Sequence, residues 1–489
     1  MIYTCMRRNN MAKNQNNSDE QYTKEATFGT LPVRKSERQY GMLDAFLVLS
    51  GYGVATWCYT QGTFQAAYCN FKQLLTTTFA ANIFILALYL LPVLFATKYG
   101  VDMWQWLKST FGTRGAGVVA LVLTAVNFPW FGQCAEIFAN TIDNLVRMAG
   151  FTPPAVLHKP MGLLCIILGT IVAIAGPLVI KWANRVIVPL LLLVGVAVCI
   201  VAFTSVPLSD IFAYEPDLSF LGNDSNAAYA IACEAGLAFG MSWCASTAVT
   251  PRLCKKERDG YWATVGAYGV VAPFFVMAGG VLGIATFVKT GVMGNDITEM
   301  LVTLSSPGMA LATLALVIFA NIATQGTGSY MWSVVLKSTF PKVKFNTIAI
   351  VLGVYAGIMV IWGQLLDYIG AMITIAAFFY GPVMGIMFVD YFFIRKRKVS
   401  LRAVYELEGH DCYEYTKGFN IVAFVCAVAG IIGDLLIFDP IAYIPKNPVF
   451  NYATCTFFGF LFTAVLFFVV NQIPAIRKYM IQDRDDITV

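Results

Sequence analysis

The sequence predicts an all-α polytopic membrane protein with twelve transmembrane helices, and three observations carry that prediction. The 489-residue chain is 58% apolar and only 12% charged, where a soluble domain holds roughly 25% charged residues. The apolar residues arrive in runs of about 20, each long enough to cross ~30 Å of hydrocarbon. The basic residues are sorted by side. With the N-terminus inside, the cytoplasmic segments hold 28 of the 33 Lys and Arg and the outer loops hold 5, the bias that orients membrane helices. A large soluble helical protein would need charges within its helices, and these runs have almost none.

Taken in order, residues 1–42 are polar and low in complexity around Asn9–Glu20. No apolar region precedes a cleavage site, so this stretch reads as a mobile cytoplasmic tail rather than a signal peptide. Leu31–Arg38 leads into the first span. The apolar runs lie at 43–66, 79–96, 116–145, 161–180, 186–204, 227–249, 262–288, 308–334, 347–366, 368–394, 418–438 and 450–473. A short basic turn, Lys181 to Arg185, is expected between the fourth and fifth. The domain reading is a ten-helix transport core at 43–394, a cytoplasmic loop at 395–417, two peripheral helices at 418–473 and a cytoplasmic tail at 474–489. Both termini fall on the cytoplasmic side of the plasma membrane. The loop at 205–226 has no basic residue and four acidic ones, as suits an outer loop.

Several function classes drop out. The basic residues flank the membrane, so no nucleic-acid partner is implied. The Cys residues fall mostly inside apolar runs (Cys165, Cys199, Cys233, Cys244, Cys426, Cys455) and act there as small hydrophobes. Nothing resembles a disulfide framework or a CxxC metal site. The two His, His158 and His410, are read as loop residues, which excludes a His-built metal centre. No nucleophile–base pair points to an enzyme, and no carbonyl filter or charge ring points to a channel.

Two stretches depart from good membrane helix. Gly236–Thr250 reads GLAFGMSWCASTAVT, with Gly240, Ser242, Ser246 and Thr247 crowded around Trp243. Glycine weakens a helix interior, and small hydroxyls offer the backbone local alternatives. Gly51–Cys58 reads GYGVATWC and echoes Phe239–Cys244, FGMSWC. Gly51–Cys58 lies in the span that opens set 1–5, and Gly236–Thr250 in the span that opens set 6–10. Five is odd, so the second set enters the membrane from the other side. Broken helices at matching places in two inverted five-helix repeats point to a transporter's binding site.

Polar residues in the spans supply the candidate chemistry. Span 3 holds Asn127, Pro129, Trp130, Gly132, Gln133 and then Glu136; its amides and acid must face the bundle interior. Trp130 and Trp243 both sit at mid-depth, and two indoles facing one cavity make a stacking slot for a flat ring. Span 8 reads Ala320-Asn321-Ile322-Ala323-Thr324-Gln325-Gly326-Thr327-Gly328-Ser329, too polar to face lipid. Its hydroxyls, with carbonyls freed at a helix break, suit a small hard cation. Among the acids, Asp390 is read as an interfacial partner of Arg395–Lys398 and Asp434 as structural. Glu136 and Glu234 are the proton-coupling candidates, with buried hydrogen-bonded acids as the alternative.

Four stretches resemble the nucleobase–cation symporter-1 family of purine/cytosine permease-like transporters. They are Tyr99-Gly100 with Phe111–Ala116, Trp130-Phe131-Gly132, Ser242-Trp243 with Thr250-Pro251-Arg252, and Tyr380-Gly381-Pro382 with Gly385, Asp390-Tyr391-Phe392 and Arg395. The resemblance implies two inverted five-helix repeats plus two peripheral helices. It also implies import of a nucleobase-like ring by alternating access, with Na+ or H+ as the coupled cation and no other cofactor. By that resemblance Trp130 and Trp243 sandwich the ring, and Asn127 or Gln133, Ser242, Gln325 and Ser329 hydrogen-bond it. A sodium site would use carbonyls near Val48 and Gly51, the Ala320 carbonyl and the Thr324 hydroxyl. Ala323 departs from the family pattern, because many members carry a hydroxyl there; sodium and proton both stay open. The partners implied are the ring substrate and membrane lipid, with a monomer as the transport unit. The alternative is an amino-acid or other organic-solute symporter of the same fold.

Overall fold

Each of the twelve apolar runs folds as a helix or as helices meeting at a break. The computed structural model describes residues 25, 26, 28, 31–406 and 411–481. Most of the N-terminal tail, His410 and the end of the C-terminal tail lie outside the described residues. The first run forms α1 (Met42–Gly53) and α2 (Thr56–Ala66), and the second forms α3 (Phe71–Tyr99). After an amphipathic helix, α4 (Met103–Phe111), the third run forms α5 (Gly115–Asn127) and α6 (Pro129–Met148). Then follow α7 (Ala155–Ala175), α8 (Pro177–Ser205), and the sixth run as α9 (Ser225–Ser242) with the short α10 (Cys244–Thr247). The seventh run is α11 (Glu257–Gly266) and α12 (Ala272–Thr290), joined by a π turn. The rest are α13 (Pro307–Thr339), α14 (Phe345–Trp362), α15 (Ile369–Val389), α16 (Ile421–Ile437) and α17 (Cys455–Val470).

Among the described residues, seven helical stretches are long and apolar enough to cross a membrane, and an eighth qualifies if the sharply bent pair Cys455–Val470 and Pro474–Met480 is one span. Broken and shorter helices account for the other runs. A two-residue ribbon, β1 (Phe438–Asp439) with β2 (Ile444–Pro445), pairs antiparallel between α16 and α17.

The breaks follow local chemistry. α1 ends at Val54 (φ −96°, ψ 44°), and the extended Ala55 starts α2. Span 3 hinges at Phe128, because Pro129 occupies the first position of α6 and has no N–H to give the preceding turn. The expected turn at Lys181–Arg185 is corrected: the chain turns at Gly176, whose φ is +90°, and Pro177 starts α8. The basic residues ride the first turns of α8 instead. Lys181 and Arg185 bind the two oxygens of Asp44 at 2.9 and 2.6 Å. The charge signal thus marked the start of α8, not the turn.

Small residues set how closely the helices cross. A Cβ at Gly62 of α2 would collide with the Val276 carbonyl of α12, and one at Gly279 of α12 would collide with the Tyr59 backbone of α2. Lipid tails give no hydrophobic drive between helices, so such backbone approach supplies the packing energy. α17 uses the same device on α15, where Gly385 meets the Phe460 carbonyl. On the face rich in Lys and Arg, Arg38 donates to the Thr97 carbonyl at 2.7 Å and Tyr40 to the Pro177 carbonyl at 2.8 Å. Asp390, an ion-pair partner as expected, takes Arg395 at 2.9 Å and the Thr110 hydroxyl at 2.8 Å.

Replacing Gly279 with Val is expected to destabilise the fold by ~1–3 kcal/mol, the usual cost of overpacking a tight contact. The check is the melting temperature of the detergent-solubilised protein, which should fall; Gly308→Val, where an added Cβ meets nothing within 4 Å, should leave it in place.

Candidate functional site

The two helix breaks meet the unbroken parts of spans 3 and 8. Carbonyls freed at a break cannot turn to water inside the bundle, so side chains take them up. Thr324 of α13 donates its hydroxyl to the Gly51 carbonyl at 3.0 Å. Asn127 of α5 donates its amide to the Ser242 carbonyl at 2.5 Å and lies 3.3 Å from the Tyr380 hydroxyl. Thr56, at the start of α2, donates to Asn321 Oδ1 at 2.7 Å, and Cys134 of α6 donates to the same oxygen at 3.1 Å.

Aromatic rings run between the breaks. Tyr52 meets Trp57 (centroids 5.7 Å apart), Trp57 meets Trp130 (6.2 Å), and Trp130 meets Phe239 (5.6 Å). Phe239 then meets Trp243 (4.5 Å), which leans on Tyr268 (5.0 Å). The structure therefore brings Trp130 and Trp243 to one place, with the Phe239 ring set edge-on against both. Beside Phe239 and Trp243 a cavity of about 10 Å³ has room for roughly one water. A ring can stack between the indoles only if Phe239 swings aside.

The predicted hydrogen-bonding residues divide. Gln133 and Gln325 are fully buried, and neither amide has a protein partner at either end. Ser329 Oγ and Asn321 Nδ2 are likewise buried and unpartnered. Buried polar groups without partners are rare and call for an explanation, and a polar ligand supplies one. Gln325 leans towards α7, where its Cγ lies against Gly169. Ser242 spends its hydroxyl on the Phe239 carbonyl at 2.7 Å, and Asn127 is committed as above.

For a cation, Thr324 and the Gly51 carbonyl are together. Val48, Ala320 and Ala323 are buried nearby in sequence, and Ala323 brings no oxygen. A residue missed from sequence stands beside Gly51: Asn184 of α8, whose Oδ1 is unpartnered and occupies the space a Cβ of Gly51 would take. Its amide nitrogen donates to Thr327 at 3.1 Å. Oxygens from α1, α8 and α13 in an apolar bundle fit a small hard cation.

The two acids lie elsewhere. Glu136 pairs with His158 at 3.0 Å, six residues beyond Trp130. Glu234 Oε2 accepts the N–H groups of Cys455 and Thr456, both at 2.9 Å, and Oε1 accepts the Thr456 hydroxyl at 2.9 Å. It caps the N-terminus of α17, where orphan N–H groups and the helix dipole favour a carboxylate. Phe239, Trp57 and Asn184 escaped the sequence reading of the site. The Phe239–Cys244 echo was the signal for Phe239 and Trp57; Asn184 gave none.

Comparison with known proteins fits this geometry. A family model described as a permease for cytosine/purines, uracil, thiamine and allantoin matches residues 32–478. A hydantoin permease of Microbacterium maritypicum is 27% identical over 68% of this chain and 69% of its own length. A purine-uracil permease of Arabidopsis thaliana is 24% identical over 90% of this chain and 76% of its own. In fold, the chain matches Mhp1, a nucleobase–cation-symport-1 family transporter solved closed with bromovinylhydantoin bound; the TM-score is 0.72 at 20% identity, covering 94% and 97% of the two chains. A Na+-coupled sialic acid symporter shares the fold at a TM-score of 0.63 and 13% identity, over 92% and 93%. The family match spans nearly the whole chain, and the chain belongs to that permease family: a membrane transporter, not an enzyme.

Because Glu234 caps α17, Glu234→Ala is expected to strand two N–H groups and a hydroxyl and to destabilise the protein by ~1–3 kcal/mol. Thermal unfolding of the purified chain should show a lower midpoint, with Glu234→Gln intermediate.

Proposed function

We propose that this permease imports a nucleobase (cytosine/purine) or a related small heterocycle together with a coupled cation, by alternating access, across the plasma membrane. Both termini lie in the cytoplasm, and one chain in its lipid surround is the transport unit. The observation that carries the reading is the convergence of Trp130 and Trp243 on one aromatic position, Phe239, in a bundle that also buries amides with no protein partner. A flat heterocycle matches both features. Its faces stack on indoles, worth ~1–3 kcal/mol per base in single-strand binders. Its edge carries the donors and acceptors that Gln133, Asn321, Gln325 and Ser329 lack.

The mechanism is a population shift. A ring entering from outside displaces Phe239, which lies four residues before Trp243 on the broken sixth span. That displacement couples occupancy to the geometry of the break. A ligand moves such an equilibrium only by its differential affinity for the two states. The ring binds tightly only where the indoles close on it, and so favours the occluded state. The cation adds to this by holding the Gly51 carbonyl against Thr324, across the first break.

For the cation we favour sodium at Gly51, Thr324 and Asn184, with Val48 and Ala320 carbonyls completing the shell. The Asn184 oxygen takes the place of the hydroxyl that Ala323 lacks. A proton is the second reading, and Glu136 is its better candidate, since Glu234 is engaged as a helix cap.

Trp243→Ala is expected to abolish uptake, with ring affinity falling on the order of 10- to 100-fold as the stacking energy is lost. Radiolabelled hydantoin, uracil and allantoin, each competed by a panel of heterocycles and amino acids, give the measurement. Retained uptake by the variant rejects the stacking slot, and competition by amino acids alone would favour an organic-solute symporter. Uptake in sodium against choline medium tests the ion. Stimulation that is lost in Asn184→Ala and Thr324→Val is expected, and sodium-independent uptake would pass the role to the proton.

A further inference from the structure

We infer that Glu136, His158 and Asp143 form a proton-binding latch at the outer ends of α6 and α7, and that this latch sets how uptake responds to external pH. His158, in the first turn of α7, has both ring nitrogens engaged. Nδ1 lies 2.7 Å from Asp143 Oδ2 and Nε2 lies 3.0 Å from Glu136 Oε1. The side chains are 22% (His158), 12% (Glu136) and 17% (Asp143) exposed. An ionised carboxylate only accepts hydrogen bonds, and a neutral imidazole has one N–H to give. The arrangement is satisfied on both sides only when the ring carries two protons. The triad therefore holds one proton more than a neutral ring between two carboxylates.

Among the described residues, the cations beside the ring, Arg147 and Lys159, are engaged elsewhere. Arg147, one turn beyond Asp143, donates to Asn144 Oδ1 at 3.0 Å. Lys159 is turned towards α14, where its ammonium donates to the Ile361 carbonyl at 2.6 Å. Across the hollow stand two acids, Glu299 and Asp296; the latter accepts the N–H and hydroxyl of Thr298 at 2.8 and 2.9 Å.

The latch has a route to solvent and a route inward. Gln133, Glu136, Asn140, Asp143 and Arg147 recur at spacings of three and four, which places them on one face of α6. The outer part of that stripe lines an open polar hollow of about 280 Å³, with Asn144, Asn295 and Asp296. At the inner end, Gln133 is an unpartnered amide one turn from Glu136, and Glu136 Oε2 is itself buried without a partner. When the proton leaves to water in the hollow, the ring keeps a single N–H. The shorter contact, to Asp143, retains it. Nε2 then presents a lone pair to the Glu136 carboxylate, and that contact opens. Glu136, two turns along α6 from Trp130, is freed from α7, while Asp143 still ties the end of α6 to His158. A proton from outside restores the clasp.

The test uses the full chain and rests on the proposed function only in its second arm. In the first, ¹⁵N-histidine NMR follows the ring directly; with two His in the chain, His410→Asn leaves His158 as the sole signal. Loss of either carboxylate, in Glu136→Gln or Asp143→Asn, is expected to lower the His158 midpoint by about one pH unit or more, the usual effect of removing an adjacent opposite charge. In the second arm, uptake of radiolabelled hydantoin and uracil is measured from about pH 5 to about pH 9 outside, the range in which imidazole titrates, at clamped internal pH. Wild-type uptake should fall as external pH rises through the NMR midpoint, and His158→Gln should flatten that step. An unchanged His158 midpoint in both carboxamide variants overturns the site. A His158→Gln profile that superimposes on the wild type overturns the latch. If the wild type takes up neither probe, the proposed substrate class fails while the NMR arm still decides the proton site.

Discussion

The hydrogen bonds from Thr324 to the Gly51 carbonyl and from Asn127 to the Ser242 carbonyl hold the whole arrangement together. A helix broken in an apolar medium frees backbone groups that have no water to turn to, at several kcal/mol for each group left unsatisfied. Spans 1 and 6 can break only because span 8 and span 3 carry polar side chains at the right depth. The polarity of those two spans, otherwise costly in lipid, is thus the condition for the breaks. It also explains why amides and hydroxyls concentrate on α6 and α13 and are sparse on α14, whose outer face is open and apolar.

Close crossing of helices makes that reach possible. A Thr hydroxyl spans only a few ångströms, so α13 must approach α1 closely. Gly328 provides for this, since an added Cβ there would collide with the rings of Phe131 and Tyr52. Gly62 and Gly279 do the same between α2 and α12. Packing of this kind is bistable rather than elastic. Glycine-lined crossings let a broken half-helix change its neighbour without leaving a void, which suits a protein that must expose one site to two sides in turn.

Much of this could be read from the chain, because the membrane enforces it. Apolar runs and basic flanks mark helices under any tertiary arrangement, and the Gly-rich stretches at Gly51–Cys58 and Gly236–Thr250 break where glycine and small hydroxyls weaken them. Trp130 and Trp243 stood out as mid-depth indoles, and Thr324 as a hydroxyl in an unusually polar span. What stayed hidden depends on contacts between distant segments. Lys181 and Arg185 look like a loop until Asp44 is seen to bind them inside the first turns of α8. Glu234 looks like a proton carrier until the N-terminus of α17, more than 200 residues later in sequence, is seen to sit on it. His158 looks like a solvated loop residue until two acids of α6 close on it. Asn184 differs from other membrane asparagines only in facing Gly51.

On the proposed function, the aromatic cluster joins recognition to movement. A slot formed by two indoles alone would bind a ring but would have no reason to report its arrival. Here Phe239 lies between the indoles and sits on the same half-helix as Trp243. The N–H of Trp243 bonds the Gly240 carbonyl at 3.1 Å, one residue after Phe239. On the proposed function, a ring that took the Phe239 position would press on the backbone turn that ends α9. That turn is the one whose Ser242 carbonyl Asn127 holds, so the proposed slot adjoins the bond that ties span 3 to span 6. Specificity and conformational change then depend on the same few atoms. A ligand too small to displace Phe239 would bind without moving the helix, and one too large would prevent the indoles from closing.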